Sequence, residues 1–126
     1  MTIWILWGIV LAMAAWMGYN YLRIRRAAKI VDNAEFEALI RKGQLIDVRD
    51  AAEFHRKHIL GARNIPSSQL KPSLAALRKD KPVLLYENQR GQRVTNAALY
   101  LKKQGFSEIY ILSYGLDSWK GKVKTS

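Results

Sequence analysis

The feature that most constrains this chain is the apolar run Ile3–Leu22, whose only strongly polar member is Asn20. Twenty residues in an α-helix rise ~30 Å, the thickness of a bilayer core. Trp4 and Trp7 stand near one end, with Trp16, Tyr19 and Tyr21 near the other, as interfacial aromatic belts require. A cleaved signal peptide fits less well, because no Lys or Arg precedes the apolar core and the run is too long for an h-region. A core helix of a soluble domain would need a polar face, which this run lacks. Ile3–Leu22 therefore reads as a transmembrane anchor in contact with the lipid bilayer. Arg23, Arg25, Arg26 and Lys29 follow it at once. The positive-inside rule then places the N-terminus outside and the rest of the chain in the cytoplasm, at the cell membrane.

The basic excess elsewhere is a weaker guide. The net charge is +11, but beyond the segment after the anchor and the tail lysines Lys120, Lys122 and Lys124 the cations are scattered among acids. Aromatic interleaving of the kind a nucleic-acid platform needs is missing, so no nucleic-acid partner is expected. The tail reads as a solvated end with a secondary affinity for anionic headgroups. The chain contains no cysteine, which excludes disulfides, thiolate metal sites and cysteine nucleophiles.

From Ile30 onward the pattern is that of a soluble α/β domain. Asn33 reads as the N-cap of a helix with Phe36, Leu39 and Ile40 on one face, ended by Gly43. Leu45–Val48 is a strand, and Asp50 can cap a short helix over 51–55. Gly61 breaks the chain before a strand stub at 62–65. Ser67 or Ser68 starts a further helix with Leu70, Leu74 and Leu77 inward. Pro82–Tyr86 reads as a buried strand, and Val94, Ala97, Ala98 and Leu101 form the apolar face of a helix. Ile109–Leu112 is a last strand, followed by a turn or short helix over 115–119. Alternating strands and helices predict a mostly parallel sheet covered on both faces. Residues 1–22 are then the anchor, 23–32 a basic juxtamembrane linker, 33–122 the domain and 123–126 a tail.

Between the strand at 82–86 and the helix at 94–101 lies the loop Glu87, Asn88, Gln89, Arg90, Gly91, Gln92 and Arg93. A strand feeding a loop that opens into a helix aims N–H groups and the positive helix end at one point, so this loop has the form of an anion cradle. It holds no Cys, Ser or Thr.

These blocks resemble the rhodanese-like domain family. Leu45-Ile46-Asp47-Val48-Arg49 with Glu53-Phe54 is similar to its first strand and Asp-Val-Arg signature. His58-Ile59-Leu60-Gly61-Ala62-Arg63-Asn64-Ile65-Pro66 is similar to its His-Ile-x-Gly-Ala-x-Asn-Ile-Pro stretch, and Gly115–Trp119 to its ending. The resemblance implies a three-layer α/β domain with a mostly parallel central sheet, here preceded by one transmembrane helix. It implies structural roles for Asp47, Arg49, His58 and Trp119. Active sulfurtransferases of the family carry a cysteine directly after the strand, in a Cys-x-x-Gly-x-Arg loop; here Glu87 stands there and the loop is one residue longer. A persulfide needs a thiolate to attack sulfur and hold it, and a carboxylate cannot carry sulfane sulfur. No catalytic residue is therefore assigned, and an internal Glu87–Arg93 pair is expected to fill the cradle. Weak anion binding is all that the loop is expected to retain.

The expected function is that of a membrane-anchored, cytoplasm-facing binding or regulatory module with an unidentified protein partner and no sulfurtransferase activity, a pseudoenzyme. The alternative is an active sulfurtransferase- or phosphatase-related enzyme with non-cysteine chemistry at Glu87–Arg93. A third reading makes the domain a passive spacer or dimer clamp on a functional anchor. No cofactor is expected. His55 and His58 with Glu53 lack a third strong metal-ligand motif, so no metal is expected either.

Overall fold

A computed structural model of the chain describes residues 2–89 and 91–125, with side chains for all of these but 23–27. Arg90 and the side chains of Arg23, Arg25 and Arg26, all singled out above, lie outside the described residues.

Helix α1 runs Thr2–Ala27, and its Thr2–Leu22 stretch, of mean hydropathy 1.6, is long and apolar enough to cross a membrane. None of that stretch is buried against the rest of the chain. The α/β unit begins directly after it. Strands β1 (Lys29–Val31), β2 (Gln44–Asp47), β4 (Arg63–Asn64), β5 (Val83–Tyr86) and β6 (Ile109–Leu112) form a parallel sheet in the order β1-β6-β5-β2-β4. Helices α2 (Asn33–Ile40) and α4 (Gln92–Lys103) cover its two faces, and the short α3 (Ala51–Arg56) follows β2. Strand β3 (Lys57–Ile59) pairs antiparallel with β7 (Val123–Thr125) in a second, two-stranded sheet.

The central position of β5 follows from its composition. All four of its residues are buried. Val83 and Leu85 enter the cluster that holds Val94, Ala97, Ala98 and Leu101 of α4, whereas Leu84 and Tyr86 enter the one that holds Phe36 of α2. A strand whose alternating side chains both meet apolar layers must be apolar throughout, as a parallel sheet covered on both faces requires.

Several local expectations need correction. Asp32, not Asn33, caps α2: its carboxylate accepts from Glu35 N at 2.9 Å, while Asn33 Nδ2 donates to Ser118 O at 2.8 Å. Asp50 holds the N-cap position of α3 but makes no side-chain capping bond. The helix expected after Ser67 is instead two single 3₁₀ turns, Ser67–Gln69 and Leu74–Ala76. Pro72 lies between them; it has no N–H to donate and disfavours helical geometry at Lys71. Leu70 and Leu77 are buried all the same. The strands β1 and β7 fall in segments read as linker and tail.

Candidate functional site

The site lies beyond the carboxyl end of β5, at the entrance to α4. Gly91 occupies the N-cap position of α4 and has no side chain to offer the helix. Glu87 supplies what Gly91 lacks. Its Oε2 accepts from Val94 N at 2.8 Å and Gly91 N at 3.2 Å, and its Oε1 accepts from Arg93 Nε at 3.2 Å. The carboxylate thus satisfies two N–H groups at the first turn of α4 and meets the positive end of the helix dipole. Glu87 is 6% exposed. The chain's own anion occupies the cradle.

Arg93 is shared between two acids. Besides Glu87 Oε1, it donates through Nη1 to Glu53 Oε1 at 3.0 Å. Glu53 Oε2 accepts from Asn88 Nδ2 at 2.9 Å, and Asn88 Oδ1 accepts from Arg49 Nη1 at 2.8 Å. Arg49 then holds Asp47 through Nε and Nη2 and donates to the Lys57 carbonyl. The result is one polar chain, Asp47–Arg49–Asn88–Glu53–Arg93–Glu87, that stitches β2, α3, the loop and α4 together. Its three carboxylates outnumber its two guanidinium groups, so among the described residues the network carries a net −1.

The protonation states follow from this pairing. The Arg93 hydrogen bond, aided by Asn88 and opposed by burial, holds the Glu53 carboxyl below its ordinary value. Arg93 is raised by its hydrogen bond to Glu53, against a smaller effect of burial. Burial works against the charge on Arg49, but the hydrogen bond to Asp47 and its negative charge outweigh it, and Arg49 is raised. Burial, then the Asp47 charge, pushes the Tyr86 phenol well up. Tyr86 therefore stays neutral, and its oxygen accepts from the buried Ile59 N at 3.0 Å.

The opposite wall of the loop is held by backbone. Leu116 N donates to Glu87 O at 2.8 Å and Asp117 N to Asn88 O at 3.0 Å. Gly115, at φ +70°, makes this approach possible, since a Cβ there would lie 2.4 Å from Asn88 O. The glycine is needed twice, for its backbone angle and for its missing side chain.

Other residues singled out in the sequence have plain positions. Asp47 and Arg49 are buried and form the base of the polar chain. His58 stacks on Phe54 with ring centroids 3.8 Å apart, and its Nδ1 lies 2.8 Å from Phe54 O. Trp119 meets Phe36 edge-on at 5.9 Å. Gln89 reaches Asp117 Oδ2 at 3.4 Å, and Gln92 bonds Asn96 one turn along α4. Glu53, named only as part of a motif and a weak metal candidate, is the bridge that the sequence does not reveal. It lies 40 residues from Arg93, and no local spacing signals such a contact.

Comparison with known proteins agrees with the fold. The family profile described as Rhodanese-like domain matches residues 32–122. The YqhL protein of Bacillus subtilis (strain 168) is 47% identical over 116 residues, covering 92% of this chain and 91% of that one. A thiosulfate sulfurtransferase, GlpE of Stutzerimonas stutzeri (strain A1501), is 37% identical over 76 residues, covering 60% of this chain and 69% of its own. Among solved structures, the full-length protein from Lactobacillus plantarum matches with a TM-score of 0.70 at 26% identity, covering 91% of this chain and 98% of that one. The rhodanese-related protein of Thermoplasma volcanium matches with a TM-score of 0.70 at 25% identity, covering 78% and 99%. With the profile spanning the α/β unit and a relative nearly half identical along almost the whole chain, the protein belongs to the rhodanese-like domain family.

Proposed function

We propose that this protein is a membrane-anchored rhodanese-fold module that does not transfer sulfur and acts by binding a protein partner on the cytoplasmic side. One observation carries the reading. The position from which a thiolate would attack holds Glu87, and that carboxylate is spent on Val94 N, Gly91 N and Arg93. Sulfur transfer needs a nucleophile that accepts sulfane sulfur and releases it. A carboxylate cannot, and this one is also committed to capping α4. The sulfurtransferase name of GlpE is that relative's own, and the missing cysteine separates this chain from such chemistry.

The anchor is α1, supported by the hydropathy and length of Thr2–Leu22, and the orientation by the cations at 23, 25, 26 and 29. The partner surface is the rim of the loop, where Gln89 and Asp117 meet and Tyr114, 68% exposed, stands one residue before Gly115. An exposed aromatic beside a polar rim suits a protein contact.

The test is turnover by the full chain in nanodiscs, with thiosulfate and cyanide in one arm and an aryl phosphate in the other. Neither should exceed the blank. Clear turnover in either would overturn the reading and favour non-cysteine chemistry at Glu87–Arg93. Protease added to sealed right-side-out vesicles tests the orientation: the domain should survive until the vesicles are opened.

A further inference from the structure

Cations that look scattered along the sequence are gathered by the fold. In a parallel sheet every strand starts at the same end, and the segments entering those strands meet there. Gln44, opening β2, exchanges hydrogen bonds with the backbone of Arg78 at 2.7 and 2.8 Å, and its N–H donates to Pro82 O. Val83 N, opening β5, donates to Glu108 O ahead of β6. Lys79 lies over the Phe106 ring, 5.9 Å from its centroid. The segments 41–44, 78–83 and 102–108 thus form one surface. It presents Arg41 and Lys42 from the turn after α2, Lys79 and Lys81 from the approach to β5, and Lys102 and Lys103 from α4, all exposed. Lys29, opening β1, is exposed as well.

Only two of the chain's ten acidic residues, Asp80 and Glu108, lie at this end, and Asp80 is paired with Arg78 at 2.6 Å. Of the others, Asp32, Glu35 and Glu37 lie at the start of or along α2, with Glu37 one turn before Arg41, and Asp47, Asp50, Glu53, Glu87 and Asp117 lie on β2 or on segments that follow the strand ends, toward the polar site. Cations at helix ends often complement the helix dipole, which accounts for Lys102 and Lys103 but not for Lys29, Lys79 or Lys81. Helix α1 enters the domain at this same end, since Ala27 closes it and Lys29 opens β1. Its backbone also comes within 8 Å of β1 and α4.

We infer that this basic end of the domain lies flat on anionic lipid headgroups, leaving the Glu87 site and its rim pointing away from the bilayer. The inference rests on α1 being a membrane span. An anchor that ends where the cations converge holds them within reach of the surface, and an anionic leaflet attracts each of them. The tail lysines are excluded from this role. Strand β7 pairs with β3, whose Ile59 N bonds Tyr86 at the far end of β5.

The test uses the absence of cysteine from the chain. Ser107→Cys, at the basic end, and Ser118→Cys, at the site end, each accept a single nitroxide label on an exposed position. The full chain is placed in nanodiscs of phosphatidylcholine alone or mixed equally with phosphatidylglycerol, both doped with a headgroup-tethered nickel chelate. In the anionic discs, nickel should relax the Ser107 label several-fold more than the Ser118 label. Neutral lipid should shrink the difference, as should ~1 M salt, where the screening length falls to ~3 Å. Replacing Lys42, Lys81 and Lys102 together by Gln should act as neutral lipid does. Equal relaxation of the two labels in anionic discs, or indifference to lipid charge, would overturn the inference. So would a Ser107 label untouched by lipid but immobilised by a DNA duplex. A chain that fails to enter nanodiscs at all would instead overturn the reading of α1.

Discussion

Replacing Glu87 by Ala should both weaken the domain and open its anion cradle. Val94 is fully buried, and its N–H gives its 2.8 Å hydrogen bond to Glu87 Oε2. A buried donor left without an acceptor costs ~1–3 kcal/mol. Arg93 keeps Glu53 and is about a third exposed, so losing its second carboxylate adds only ~0.5–1 kcal/mol after solvent screening. Gly91 N is less deeply buried and can take water instead. The total is ~1.5–4 kcal/mol, which for a domain of this size corresponds to a melting point lower by about 6–30 °C. The vacated N–H groups and Arg93 then form a site for sulfate, and sulfate at 100 times its dissociation constant would restore ~2.7 kcal/mol. The assay is thermal unfolding of the full chain in nanodiscs, followed by circular dichroism, with sulfate and chloride compared at equal ionic strength. Sulfate stabilises many proteins by exclusion from their surfaces, so the wild-type response is the baseline. A destabilisation below ~0.5 kcal/mol, or equal sulfate responses in the two proteins, would refute the reasoning.

Three further outcomes follow from the same geometry. Gly115→Ala forces a Cβ to within 2.4 Å of Asn88 O at φ +70° and should cost ~3 kcal/mol or more in urea unfolding. Tyr86→Phe removes the acceptor of the buried Ile59 N–H and should cost ~1–2 kcal/mol by the same measurement. Glu53 titrates below its ordinary value of 4.5 when folded, chiefly through Arg93. Its contribution is therefore complete above that value and lost as pH falls through the folded one. Glu53→Gln should flatten the acid limb of a stability–pH curve while lowering its neutral plateau; an unchanged acid limb would remove Glu53 from the account.

The parts of this fold that were legible in the sequence are those whose signal is local. The run Val83–Tyr86 and the helical spacing of Val94, Ala97, Ala98 and Leu101 describe elements buried on one or both faces, so burial writes itself into consecutive residues. Strands β1 and β7 have three residues each. They exist because β6 and β3 offer them partners, which no period in three residues can announce. The cap of α2 fell one residue early because Asp32 and Asn33 are both good caps, and Asn33 is drawn away by Ser118, 85 residues distant. At the site, the missing cysteine and the loop length are facts of sequence. The arrangement of Glu53 between Asn88 and Arg93 depends on how α3 packs beside the loop and was not legible. The basic end is hidden in the sequence for the same reason: its cations belong to four separate segments that only the parallel sheet aligns.

The central claim is that Glu87 has taken the place of a bound anion at the head of α4. The most direct measurement follows the amide signals of Gly91 and Val94 by ¹⁵N NMR in the full chain in nanodiscs, as thiosulfate is added at constant ionic strength. Because both N–H groups already donate to Glu87 Oε2, the account predicts no saturable shift in either. Saturable binding with a sub-millimolar dissociation constant, centred on these two amides, would contradict it.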